Sequence, residues 1–123
     1  MLWGPKRTAD MSTSTVKDAA ILCGVVKNMW KVNAIESGHE NHYTLVVHSV
    51  GRKYIKITSK MNTDPADRIG HAYMFIDKVT GNCYGVKSWN QADSLVRGSV
   101  TNFIDHPEMC SPYGGFAYLP KNN

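Results

Sequence analysis

The stretch RKYIKI, residues 52–57, places one aromatic residue between two cations at every second position. Arg52, Tyr54 and Lys56 would share one face of a β-strand, because successive strand residues point to opposite sides. Bases stack on aromatic rings and cations neutralise phosphates, so this face would suit single-stranded nucleic acid, with Tyr73 and Phe75 alongside. The opposing interpretation is that Tyr73 and Phe75 are core residues and that the cations are only solvated.

A second set of residues, Lys87, Trp89 and Arg97, would converge near the end of a predicted hairpin. An arginine there is suited to hold a phosphate or carboxylate through two parallel hydrogen bonds. The alternative is a tryptophan that covers the edge of the core, with Arg97 stacked on it. The two sets together give the candidate nucleic-acid-binding residues: Arg52, Tyr54, Lys56, Lys87, Trp89 and Arg97.

Patterns for catalysis and metal binding are weak. His39, His42 and His48 lie near Glu40, but exposed histidines are the simpler interpretation, since a metal site needs converging ligands. A hydrolytic set of His71, Asp77 and Ser88 is disfavoured because Asp77 is placed to accept backbone N–H groups in a turn. No catalytic residue, metal or cofactor is therefore predicted, and an enzyme is the least favoured class, because acid–base chemistry needs positioned titratable pairs.

Composition indicates one domain. The chain has 123 residues, 42% of them hydrophobic, and no run approaches the roughly 18 apolar residues of a membrane span, so no membrane partner is expected. Three cysteines without CxxC spacing argue against disulfides and zinc, and favour a reducing compartment. The net charge is +4, and residues 1–62 carry nine Lys or Arg against four Asp or Glu, which weakly favours an anionic partner.

The elements that must position these residues follow from periodicity. Residues 1–12 are interpreted as a flexible N-terminal arm and residues 13–123 as a single α+β domain. Thr15 and Asp18 have the spacing of a capping box, which predicts a helix from about Ser14. Apolar residues at helical spacing then form one face that would pack on a sheet: Ile21, Leu22, Val25, Val26, Met29 and Trp30.

Alternating apolar residues predict an antiparallel sheet of about four strands, over 43–50, 51–60, 71–77 and 82–89. Gly81 is the expected positive-φ residue of the turn between the last two strands. Residues 91–96 are expected to form a short helical turn, and the segment after Gly98 to be irregular. Its aromatic residues would anchor it to the domain: Phe116 and Tyr118, with Leu119 beside them.

An ordered set of short blocks resembles a family of small uncharacterised proteins of tailed bacteriophages, many of them marine. The blocks are RKYIKI at 52–57, AYMFIDKVTG at 72–81, SW at 88–89, RG at 97–98 and SPYGGFAYL at 111–119. The chain departs from the family pattern at 68–70 and 90–93, where basic and proline residues are missing. The resemblance implies a viral origin and a location in the host cytoplasm or the virion, and it implies no assigned activity.

The leading hypothesis is a small phage-type accessory protein that binds nucleic acid, without catalysis, through its basic and aromatic strand face. The alternative is a protein-interaction or virion component that uses the aromatic tail and an exposed strand edge. Such an edge would also allow a second copy to pair. Salt separates the two hypotheses, because phosphate contacts weaken steeply as salt is added.

Overall fold

The protein was analysed as a computed structural model, which describes residues 4–39, 43–62, 70–112 and 114–118, with only the backbone described for 4–14 and 118. A single long helix, α1, runs from Gly4 to Glu36. Five antiparallel strands follow in the spatial order β1-β2-β3-β4-β5: β1 Tyr43–Val50, β2 Tyr54–Met61, β3 His71–Asp77, β4 Asn82–Ser88 and β5 Gln91–Ser99. The predicted α+β class, a helix packed on an antiparallel sheet, is confirmed.

Helix α1 packs one face against the sheet. Its buried side chains recur every three or four residues, as an amphipathic helix requires: Ala19, Leu22, Cys23, Val26 and Trp30. The helix ends at Glu36, and the turn that follows contains Gly38, whose φ of 74° suits a residue without a Cβ. There the N–H of His39 donates to the carbonyl of Ala34 and that of Gly38 to Ile35, which satisfies two terminal carbonyls.

The start of α1 differs from the sequence expectation. The helix begins at Gly4, about ten residues before the predicted start near Ser14, so the predicted arm at 1–12 overlaps its first turns. Thr15 is therefore inside the helix, where it is buried, and the predicted capping box of Thr15 and Asp18 was wrong. Residues 1–3, including Trp3, lie outside the described residues.

The fifth strand corrects the prediction for residues 91–96. These residues were expected to form a helical turn, but they belong to β5, which pairs with β4 from Ser88↔Gln91 to Asn82↔Ser99. Trp89 and Asn90 form the two-residue connection. Three register shifts interrupt the pairing, so side chains of β5 do not alternate regularly and no period of two is visible in the sequence.

The turn between β3 and β4 forms as predicted. The Asp77 carboxylate accepts from the backbone N–H groups of Val79 at 2.8 Å and Thr80 at 3.1 Å. Gly81 has a φ of 76°, and its N–H donates to the Asp77 carbonyl at 2.9 Å. This use of Asp77 as a turn residue agrees with its exclusion from a hydrolytic set.

A bulge in β3 decides which side chains face α1. Ile57 pairs with Met74 and Thr58 pairs with Ala72, so Tyr73 is the extra residue. Tyr73 and Met74 both join the core under α1, where the Tyr73 ring lies 6.0 Å from that of Trp30. Tyr73 therefore cannot lie beside Phe75, which corrects one part of the predicted stacking platform.

The C-terminal segment is bound to the core at several points. A short helix, α2 (Val100–Asp105), starts at Ser99, whose hydroxyl accepts from the N–H of Asn102. Two 3₁₀ turns follow, Pro107–Met109 and Gly115–Tyr118. Phe103 and Phe116 are fully buried, and the Trp30 indole donates to the Cys110 carbonyl at 2.7 Å. Phe116 is thus an anchor as predicted, while the Tyr118 side chain and Leu119 lie outside the described residues.

Candidate nucleic-acid interface

The face of the sheet opposite α1, here called the outer face, carries a row of aromatic rings. The Tyr54 ring makes edge contacts with Phe75 and with Tyr84, each at 5.8 Å between ring centroids. Phe75 is 4% exposed yet lies outside the core cluster beneath α1. Tyr54 and Tyr84 are half-buried. Edge contacts of this kind fix the ring orientations, so the outer face presents a preformed aromatic surface.

Lys56 lies within this row and is 9% exposed. Its ammonium group lies 4.1 Å from the centroid of the Trp89 ring and 5.8 Å from that of Phe75. It also donates to the Asn90 side-chain oxygen at 3.1 Å. Two aromatic faces and one amide thus replace water around this cation. Lys56 was predicted as a cation that contacts phosphate, and the structure makes it a support beneath Trp89 instead.

Trp89 reaches Lys56 because the β4–β5 hairpin folds across the outer face. Strand β4 pairs with β3 only at Phe75↔Tyr84 and Ile76↔Cys83, near their connecting turn. The tip of the β4–β5 hairpin contacts Lys56 of β2 and His48 of β1. The Trp89 ring makes an edge contact with His48 of β1 at 5.1 Å and remains 37% exposed.

Exposed cations surround this aromatic surface. Lys53 lies over the Tyr54 ring at 5.2 Å, and Lys87 is exposed. Arg52 is exposed too, but β2 begins at Tyr54, so Arg52 belongs to the turn after β1 and not to a strand face with Tyr54 and Lys56. Its predicted position on the strand was therefore wrong, although it stays at the same end of β2.

Arg97 contacts a carboxylate of its own strand, β5. Its guanidinium contacts the Asp93 carboxylate at 3.8 Å, and its side chain is 16% exposed. Gly85 of β4 lies close to both Asp93 and Ala117, since a Cβ added to it would come within 4.0 Å of each. Asp93 is therefore on the side of the hairpin that the C-terminal segment covers. Lys87 and Trp89 fit the predicted edge of the hairpin, whereas Arg97 contributes to the packing of β5.

Sequence reasoning missed part of the surface. His48 entered only as a disfavoured metal ligand, and Lys53, Tyr84 and Asn90 were not singled out. The β4–β5 hairpin could have been considered at Ser88-Trp89-Asn90-Gln91, where the two residues Trp89 and Asn90 connect the strands. Two residues are the commonest length of a hairpin connection. Without a glycine, that tetrapeptide lacks the strongest mark of such a turn.

A shallow groove of about 280 Å³ opens elsewhere, beside Tyr43, Ser59, His71 and Pro112. Its described lining contains a single imidazole and no carboxylate. The described residues of this groove therefore offer no acid–base pair.

Groups that could hold a metal ion do not converge in the part of the chain that the structure describes. Across those residues, no three His, Cys, Asp or Glu side chains cluster together. Glu40 and His42, considered above with His39 and His48, lie outside the described residues. None of the described helices is long and apolar enough to cross a membrane.

The fold and its outer face define a small α+β domain with a preformed aromatic and basic surface. The chain belongs to a family of unknown function, DUF7717, whose model matches residues 5–119. No curated protein and no solved structure matches the chain.

Proposed function

We propose that this protein binds single-stranded nucleic acid, without catalysis, at the Trp89 end of the outer face. The observation that supports this most is the exposed Trp89 ring, held in place by Lys56 and His48. A fixed aromatic ring offers a base a stacking partner at small entropic cost, and stacking is worth about 1–3 kcal/mol per base.

The surrounding charges suit a phosphate backbone. Lys53, Lys87 and Arg52 are exposed, and each is free of any described carboxylate partner within ion-pair distance. Cations of this kind attract phosphates and release counterions on binding. Lys56 takes no direct part, because its ammonium already faces two rings and an amide.

The resemblance to bacteriophage proteins supports the context of the proposal: an accessory protein in the cytoplasm of an infected host. A protein-interaction or virion role through the aromatic tail remains the alternative. It has less support because Phe116, the tail's first aromatic anchor, is fully buried in the core and offers nothing to a partner.

The test is fluorescence anisotropy of a labelled single-stranded oligonucleotide of about 12 nucleotides, a length within the range of small sheet-based binding sites. We expect binding that weakens steeply between about 50 mM and about 200 mM salt. Trp89→Ala should weaken it by about fivefold or more, and Lys87→Ala should lower the salt slope by about one. Lys27→Ala, an exposed change on α1, is the matched control.

A duplex of the same sequence should bind less tightly, since its bases are not available for stacking. Trp89→Ala must first be shown to keep its cooperative unfolding transition, so that lost binding is not lost folding. The proposal would be contradicted if the wild type and Trp89→Ala bound the oligonucleotide equally and added salt did not weaken that binding. A protein partner would then be the function to test.

A further inference from the structure

Helix α1 carries a second apolar stripe on the side away from the sheet. Ile21 is 51% exposed, Val32 42% and Ile35 66%, and Val25 between them is half-buried. Asn28, at the centre, is exposed. These five residues, Ile21, Val25, Asn28, Val32 and Ile35, are called the seam below.

The spacing of the seam is that of a coiled coil. Its members are separated by four, three, four and three residues, a mean of 3.5, which is the repeat of two helices that wind around each other. At about 100° per residue, the seam centres on the side of α1 roughly opposite Leu22, Val26 and Trp30, which the sheet buries. The helix is therefore apolar on two faces, and within the described structure only one is covered.

We propose that a second copy of this chain covers the seam, with the two α1 helices parallel. In that register each seam residue meets its own equivalent. In the seven-residue repeat of a coiled coil, lettered a to g, the contact positions are a and d. The β-branched Val25 and Val32 occupy the a positions, and Ile21, Asn28 and Ile35 occupy the d positions. Asn28 of one copy then faces Asn28 of the other across the dimer axis. A single polar pair of this kind fixes the register of a coiled coil at some cost in stability.

The charges beside the seam favour the parallel arrangement. Lys31 occupies a g position and Glu36 the following e position, and both are exposed. In a parallel pair the g residue of one helix meets the e residue five positions later on the other, so Lys31 pairs with Glu36 of the second copy, twice by symmetry. In an antiparallel pair centred on Asn28, Lys31 of one helix would lie level with Val25 of the other. It would then be about eleven residues, roughly 16 Å along the axis, from Glu36 of that second helix.

The contact is short. Residues 21–35 span about 21 Å of helix, or two heptads, so the buried area falls toward the low end of specific interfaces and the dimer should be weak, on the order of micromolar. The proposal concerns a face of α1 remote from Trp89, and it does not depend on nucleic-acid binding.

Sedimentation velocity of the full chain over a range of protein concentrations is the first test. We expect a monomer–dimer equilibrium that Ile35→Asp weakens at least about tenfold, because it places a charge in the apolar contact. Val79→Asp, at an apolar residue that is 65% exposed in the β3–β4 turn, is the matched control and should leave the equilibrium unchanged. A wild type that is monomeric at high concentration, or a dimer that Ile35→Asp leaves intact, would overturn the proposal.

Charge reversal tests the pairing itself. Glu36→Lys should weaken the dimer about twofold to fivefold, and adding Lys31→Glu to it should restore the loss. A Glu36→Lys variant that the second change does not rescue would reject the parallel arrangement.

Orientation is tested separately with Ile35→Cys under mild oxidation, since the three native cysteines are buried. Parallel helices bring the two copies of the substituted position together, so the introduced thiols should form a disulfide-linked dimer. The wild type under the same oxidation is the control and should stay unlinked. An Ile35→Cys variant that does not cross-link would likewise reject the parallel arrangement.

Discussion

At the scale of single residues, Lys56 is a buried cation, 9% exposed. Its ammonium lies against the Trp89 ring, and the Asn90 side chain accepts its hydrogen bond, so the lysine connects β2 to the tip of the β4–β5 hairpin. Cation–π contacts contribute about 0.5–2 kcal/mol, and hydrogen bonds to charged groups about 1.5–3 kcal/mol. Lys56 thus contacts both residues of the hairpin tip, Trp89 through its charge and Asn90 through a hydrogen bond, beside the edge contact of His48 with Trp89.

Replacing Lys56 should therefore loosen the hairpin tip. We expect Lys56→Ala to lower the free energy of unfolding by about 1–3 kcal/mol, because both interactions and the packing of the aliphatic stem are lost. Lys56→Met keeps most of the stem, so it separates packing from charge and should cost less. Urea denaturation followed by tryptophan fluorescence measures both.

The matched control is Lys87→Ala, since Lys87 is an exposed lysine of β4 and should change stability by no more than about 0.5 kcal/mol. If Lys56→Ala and Lys87→Ala cost the same, Lys56 does not support the hairpin. In that case the outer face would have to be reconsidered as a solvated surface, which was the simpler sequence interpretation of its cations.

At the scale of elements, the approach of β5 to α2 depends on the absence of a side chain. A Cβ added to Gly98 would lie 2.9 Å from the Phe103 ring, and Phe103 is fully buried against Phe116. Gly98→Ala should therefore displace the ring and destabilise the fold by about 1–3 kcal/mol.

The control is the same substitution at a position with open space. A Cβ on Gly24 meets nothing within 4 Å, so Gly24→Ala in the interior of α1 should raise the free energy of unfolding by about 0.5–1 kcal/mol. Thermal melts of the two variants should shift in opposite directions. If Gly98→Ala melted at or above the melting temperature of the wild type, the Phe103 ring would be able to move aside without loss of stability.

The elements also show what periodicity can and cannot predict. β1 and β3 match the predicted spans because each is a short run rich in apolar, aromatic or β-branched residues, and the Asp77–Gly81 turn follows from the chemistry of two residues. β5 was missed because its polar residues and three register shifts hide the alternation. The burial of Lys56 was missed for the same reason, since only a β4–β5 hairpin places Trp89 above it. The Tyr73 bulge likewise depends on pairing that no local pattern records.

At the scale of the whole molecule, three thiols share one core. Cys23 comes from α1, Cys83 from β4 and Cys110 from the segment after α2, and all three are buried in a single cluster. Burial disfavours the thiolate and raises the pKa of Cys23 and of Cys110 from an ordinary value of 9.0 to about 12, and it raises that of Cys83 as well. In the folded protein these groups are therefore protonated at neutral pH and poor nucleophiles.

The raised pKa values predict alkaline unfolding with a definite sign. Because each pKa is higher in the folded state, the stabilisation is complete below pH 9 and is lost as the pH rises from about 9 toward about 12. Each thiol lowers the free energy of unfolding by up to about 1.4 kcal/mol per pH unit in that range. All three pKa values shift in the same direction, so the free energy of unfolding should fall more steeply above about pH 9 than one thiol alone would cause.

Two measurements check this prediction at the level of the entire fold. Urea denaturation at a series of pH values should give a constant free energy of unfolding from about pH 7 to 8 and a steep fall above about pH 9, and Cys23→Ala should make that fall shallower. A thiol-specific reagent at about pH 8 should label the cysteines only as fast as the protein opens, and all three at once in denaturant. Rapid labelling of the native protein would mean that α1, β4 and the C-terminal segment do not close over a common core. That core is what positions both the outer face and the seam, so such a result would count against both proposals together.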